Sequence, residues 1–157
     1  MIKMEALARA FESLGFSKVE TLIQSGNVVF EAGASDKEKL TGKIEKKLEA
    51  MAGWPVDVFV MEVAELRKLV KANPFAKAKS GAGGKKYMTL FHGEMDAKSE
   101  LLKQDDVEVV KIDPGIVYWV AIQGKKGYGM PRILNVKPYA AATTTRNWNT
   151  IQKIAEK

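Results

Sequence analysis

Val107-Glu-Val-Val-Lys-Ile-Asp113-Pro-Gly-Ile116-Val-Tyr-Trp-Val-Ala-Ile122 is the stretch on which the fold turns. Its centre, Asp113-Pro114-Gly115, is a tight-turn signal, because proline presets φ for the first turn position and glycine tolerates a positive φ at the second. The flanks Val107–Ile112 and Ile116–Ile122 are rich in β-branched and aromatic residues and should pair as an antiparallel hairpin. The second arm is apolar on both faces, so it belongs inside a sheet covered on both sides.

Upstream of the hairpin, Lys86–His92 reads as a further strand and Asp96–Lys103 as a short helix. Residues 76–85, made of Ala, Lys, Ser and three glycines, read as a linker. Before that linker, Glu62–Ala72 has helical spacing and must stop ahead of Pro74. Val56, Val58 and Val60 alternate as in a strand, and Gly53-Trp54-Pro55 separates them from a helix that begins at a Ser35/Glu38 capping box. Val19–Ile23 and Asn27–Glu31 read as strands joined by Gln24-Ser25-Gly26. Ile2, Ala6, Leu7, Ala10, Phe11 and Leu14 mark an N-terminal helix closed by Gly15.

Downstream, glycines at 124, 127 and 129 predict a loop. A last helix should start near Thr144 or Thr145 and bury Trp148, Ile151 and Ile154. The order α-β-β-α-β, a connecting helix, then β-α-β-β-α predicts an α+β protein of two ferredoxin-like (split βαβ) halves packed together. The first half lacks its first strand and the second its last. The halves are placed at 1–75 and 86–157, with 76–85 between them.

A chain of 157 residues, 46% apolar and 28% charged, is long enough to bury a core without staples. The absence of cysteine excludes disulfides, thiolate nucleophiles and thiolate metal sites. Apolar runs are strand-sized, so no membrane partner is expected and the cytoplasm is the default location. The net charge of +6 is uneven. Residues 1–122 hold 18 basic and 18 acidic side chains, whereas residues 123–157 hold seven basic residues against Glu156 alone. Grouped charge of that kind attracts phosphates or nucleic acid.

The chemistry-bearing patterns are few. His92 has no histidine to pair with, Ser25 has no base in sight, and no carboxylate spacing suggests a metal. No catalytic residue, metal or cofactor is therefore expected. Lys79–Lys86 fails as a phosphate loop, because Lys79 replaces the first glycine, Lys86 replaces the Ser/Thr, and a strand follows. Tyr87, Phe91, Tyr118 and Trp119 lie on strands that could display bases for stacking. Yet the RNA-recognition signature is absent and the apolar pattern makes them core.

Two polar islands stand out: Thr21–Phe30, with Gln24, Ser25 and Asn27, and Ala142–Ile151, with Thr144, Thr145, Arg146 and Asn147. An arginine in a helix's first turn opposes the macrodipole, and no Asp or Glu there offsets it. Arg146 with the threonine hydroxyls and free amides therefore predicts an anion site for a phosphate-like small molecule. Lys125, Lys126 and Arg132 would supply a basic surface nearby, and the two islands are expected to serve one face. The alternatives are a nucleic-acid-binding protein using the basic C-terminal third, and an enzyme whose acid–base groups the sequence does not reveal.

Ile2-Lys-Met4, Ile23-Gln-Ser-Gly-Asn-Val-Val-Phe30, Asn73-Pro-Phe75 and Thr144-Thr-Arg-Asn-Trp-Asn-Thr150 occur in this order and spacing. By these motifs the chain resembles the uncharacterised bacterial domain-of-unknown-function family sixteen-ninety-seven. The resemblance implies two ferredoxin-like halves and carries no established reaction. Its members begin with a strand and a glycine-rich loop, Leu-Leu-Arg-Gly-Ile-Asn-Val-Gly-Gly, which this sequence lacks. A strand edge left open in the first half should then be covered by another segment or by a second copy in a homodimer.

Overall fold

The computed structural model describes residues 2–22, 26–79, 83–92, 104–122, 124 and 142–157. It is an α+β structure with two antiparallel sheets, dividing into two compact units, Met1–Val63 with Lys157, and Ala64–Glu156.

In the first unit, α1 (Met4–Ser13) turns Leu7, Ala10 and Phe11 inward. It ends as expected at Gly15, whose φ of +90° is open to glycine and whose N–H reaches Glu12 O at 3.0 Å. The strands β1 (Ser17–Leu22) and β2 (Asn27–Glu31) pair antiparallel, with Leu22 opposite Asn27 and Glu20 opposite Val29. Helix α2 spans Lys37–Ala52. Its N-cap is Asp36, whose carboxylate accepts from Glu38 N at 3.2 Å, so the Ser35/Glu38 box is corrected by one residue. Phe11, Phe16 and Phe30 meet at ring separations of 4.6–5.9 Å and pack with Leu7, Ala10, Ile44 and Leu48. Each Phe, Leu or Ile side chain of that size contributes about 1.5–3 kcal/mol on full burial.

The strand expected at Val56–Val60 does not form. Val56, Val58 and Val60 do lean on the first core. Val56 N and Val58 N, however, donate to Glu49 Oε1 and Glu45 Oε1 of α2, both at 3.3 Å, and the segment joins no ladder among the described residues. Apolar alternation places the side chains; a strand also needs a neighbour for its amides.

In the second unit, α3 (Val63–Lys71) precedes β3 (Lys85–Phe91). The hairpin forms as expected from β4 (Val107–Asp113) and β5 (Ile116–Ala121), with Gly115 at φ +75°. Residues Ile116–Val120 are all buried, as an arm apolar on both faces requires. The end of the chain departs from the sequence reading. Thr143–Asn147 is not the first turn of a helix but a strand, β6, paired with β3; the last helix, α4, spans Trp148–Ala155. Three successive β-branched threonines favour extended backbone. The second sheet therefore has a fourth strand where none was expected, in the order β4-β5-β3-β6, all antiparallel. The short helix expected at Asp96–Lys103 lies outside the described residues.

Candidate anion-binding site

The candidate site is built on β6. Register puts Thr145 opposite Thr89, and Arg146 opposite Met88. Because side chains alternate, Thr144 and Arg146 share one face of the sheet, while Thr143, Thr145 and Asn147 share the other. On the first face Arg146 Nη1 donates to Thr144 Oγ1 at 2.6 Å and to Thr145 O at 2.9 Å. The guanidinium thus folds back along its own strand. It is half-buried, and that burial lowers its pKa from the ordinary value. The group still keeps its proton, since arginine is not deprotonated in proteins.

This geometry corrects the expected site. Arg146 is a strand residue, so it does not oppose the dipole of a helix's first turn. That position belongs to Trp148, and Asn147 is the N-cap, its Oδ1 accepting from Asn149 N at 2.8 Å. Asn147 is therefore a capping residue. Thr144 and Thr145 do not cap the helix; the first binds Arg146 and the second points through the sheet to the opposite face.

On that opposite face a polar row crosses three strands. Trp119 Nε1 donates to Thr89 Oγ1 at 2.8 Å, and Thr89 Oγ1 lies 2.8 Å from Thr145 Oγ1. Thr89 is fully buried, so its hydroxyl needs both partners. The sequence reading missed Thr89. The signal was one hydroxyl in the middle of the apolar run Tyr87-Met-Thr-Leu-Phe91.

Beneath Arg146's face, Phe75, Tyr118 and Trp148 form an aromatic cluster with centroids 5.0–6.0 Å apart. Tyr118 Oη is buried, and the Asp113 carboxylate approaches it without completing a hydrogen bond of good geometry. Burial first, then the charge of nearby Asp113, pushes its pKa well above the usual phenol value. Phe91, Tyr118 and Trp119 are core, and Tyr87 is half-buried and stacks on Trp119 at 4.6 Å, so these four offer no open stacking platform.

Asn27, in the first unit, is buried, and its Nδ2 donates to Leu22 O at 3.2 Å, which ties the β1–β2 hairpin. Gln24, Ser25, Lys125, Lys126 and Arg132 lie outside the described residues. Among the described residues no group of three or more His, Asp or Glu side chains could hold a metal ion, and no helix is long and apolar enough to cross a membrane.

Fold and site together define an α+β protein whose second sheet carries a half-buried arginine on β6, the outermost strand on that side among the described residues. A family model described as "Protein of unknown function (DUF1697)" matches residues 1–118. The chain belongs to that family. The Thr144–Thr150 motif falls beyond the matched residues. A solved structure described as conserved bacterial protein SP0830 from Streptococcus pneumoniae is similar, with a TM-score of 0.74 and 22% identity, over 99% of this chain and 88% of that one. At that identity the likeness is one of fold. Among curated proteins nothing matches.

Proposed function

We propose that the protein is a cytoplasmic, non-catalytic binder of a small phosphate-bearing anion, held at Arg146 and Thr144 on β6. One observation carries this reading: the Arg146 guanidinium is fixed by two hydrogen bonds from Nη1 in a half-buried position, where desolvation works against its charge. An anion docking there meets a donor already oriented, and a charge-assisted hydrogen bond contributes about 1.5–3 kcal/mol. After ordering and desolvation costs, that suits micromolar-to-millimolar affinity. The strand order β4-β5-β3-β6 supports reading the second unit as a ferredoxin-like half, with the site on β6.

The test is to titrate wild type and Arg146→Ala with inorganic phosphate and with a nucleotide, beside a thermal melt of each. The expected outcome is binding weakened about tenfold or more, the equivalent of removing one charge-assisted hydrogen bond, with little change in melting temperature. A clear drop in melting temperature with unchanged phosphate binding would make Arg146 a structural residue and end the proposal.

A further inference from the structure

The net charge divides unequally between the units. Ala64–Glu156 carries 16 Lys+Arg against 9 Asp+Glu, and the remaining residues carry 9 against 10. Within the second unit one stretch is extreme: residues 66–93 contain seven basic side chains and no acidic one. All seven are exposed, and six are lysines: Lys68, Lys71, Lys77, Lys79, Lys85 and Lys86.

The fold gathers part of this run at one end of the second sheet. Just after α3, Asn73 takes a left-handed φ of +48°. Tight turns follow, Ala76 N to Asn73 O at 3.1 Å and Ala78 N to Phe75 O at 3.0 Å, and they set Phe75 into the core. The Lys79 amide then docks on Glu108 Oε2 at 2.7 Å. Glu108 sits opposite Val120 on β5, and Val120 sits opposite Lys86 on β3, so the three share one cross-strand row. Lys86 Nζ stands over the Phe75 ring at 5.7 Å. Lys77, Lys79 and Lys86 are thereby held around one corner, and the carboxylate in that row is engaged by a backbone amide.

We propose that this lysine-bearing corner binds a nucleic-acid backbone without reading its sequence. Lysines are mobile point charges suited to phosphates in many positions. Among the described residues the nearby aromatic side chains Phe75, Tyr118 and Trp119 are buried, so these rings are closed to bases. A membrane surface fits less well, because membrane-seated patches add exposed apolar anchors to their charge. The exposed large hydrophobics among the described residues, Met51 and Trp54, belong to the first unit. The corner acts independently of Arg146, whose guanidinium folds toward Thr144 and not toward Lys86.

The test is fluorescence anisotropy of the full chain with a labelled single-stranded oligonucleotide across a range of salt concentrations. Wild type should lose affinity steeply with salt, in a straight line of log K against log salt. The triple variant Lys77→Ala/Lys79→Ala/Lys86→Ala should flatten the slope by about 2, at roughly 0.7 for each phosphate no longer neutralised. Lys39→Ala/Lys43→Ala/Lys46→Ala, which removes the same charge from α2 of the first unit, should leave the slope in place. Equal flattening by both triples would reduce the effect to net charge and overturn the proposal. So would an unchanged slope in the first triple, or binding to phosphatidylserine vesicles with none to the oligonucleotide. Arg146→Ala should keep the wild-type slope, so loss of phosphate binding in that variant and loss of oligonucleotide binding in the triple are separate results.

Discussion

The two units solve the same problem, helices packed on an antiparallel sheet, with very different completeness. In the second, β5 is flanked by β4 and β3 and buried from Ile116 to Val120, with Val117 and Tyr118 fully enclosed. In the first, β1 and β2 form a two-stranded ribbon whose side chains are mostly half-buried, and Val56, Val58 and Val60 reach the core from a segment without a ladder. Stability should therefore concentrate where sheet and core are continuous on both sides, and two-stranded pairs are marginal without such support.

The largest effect expected from this difference is at Trp119. Trp119→Ala removes a buried ring together with its stack on Tyr87 and should cost about 3–5 kcal/mol in a denaturant melt. Val58→Ala at the half-buried edge of the first core should cost only about 1 kcal/mol. Comparable losses from the two variants would break the contrast.

A middle-sized effect is expected at Thr89, where the second unit's sheet is tied by side chains as well as by backbone. Thr89→Val keeps the shape but orphans Trp119 Nε1, a buried donor, and should cost about 2–3 kcal/mol. Thr145→Val leaves the Trp119–Thr89 bond intact and should cost about 1 kcal/mol. If the two variants melt alike, the row does not act as a relay across three strands.

At neutral pH the smallest effect is expected from Tyr118→Phe, since its hydroxyl gives up only a loose approach to the Asp113 carboxylate. The melting temperature should stay level or rise. The variant should differ from wild type in alkali. The folded pKa of Tyr118 is raised, so above the ordinary phenol pKa of about 10 the unfolded chain releases a proton that the folded chain retains. That term is absent below pH 10 and subtracts stability as pH climbs beyond it. Wild type should lose stability faster than Tyr118→Phe in melts above pH 10, and parallel curves would show that the hydroxyl is not held protonated by the fold.

Local signals were the legible part of this chain. Gly15, Gly53 and Asp113-Pro114-Gly115 each ask for a backbone geometry that few other residues meet, and the structure shows positive φ at all three glycines. Strand existence at Val107–Asp113 and Ile116–Ala121 followed from composition that no helix would use so densely. What failed was anything decided by a distant partner. Thr143–Asn147 has both capping chemistry and β-branched residues; pairing with β3, more than fifty positions earlier, selects the strand. The candidate site followed the same rule. Arg146 was visible as an unusual residue, but its direction depends on strand alternation set by that register. Thr89, whose role exists only across three strands, showed in the sequence only as a lone hydroxyl within an apolar run.

Glu45 and Glu49 have a further consequence. Amides on an extended apolar segment are the means by which polypeptides recruit one another into intermolecular sheets. In Val56–Val60 the amides of Val56 and Val58 are instead occupied by two carboxylates one helical turn apart on α2. Any incoming strand that used those amides must first evict both acids, and their charge repels a backbone carbonyl arriving in their place. The valines stay available to their own core while the segment is a poor template for aggregation, an effect set by the spacing of two side chains and not by the sheet itself.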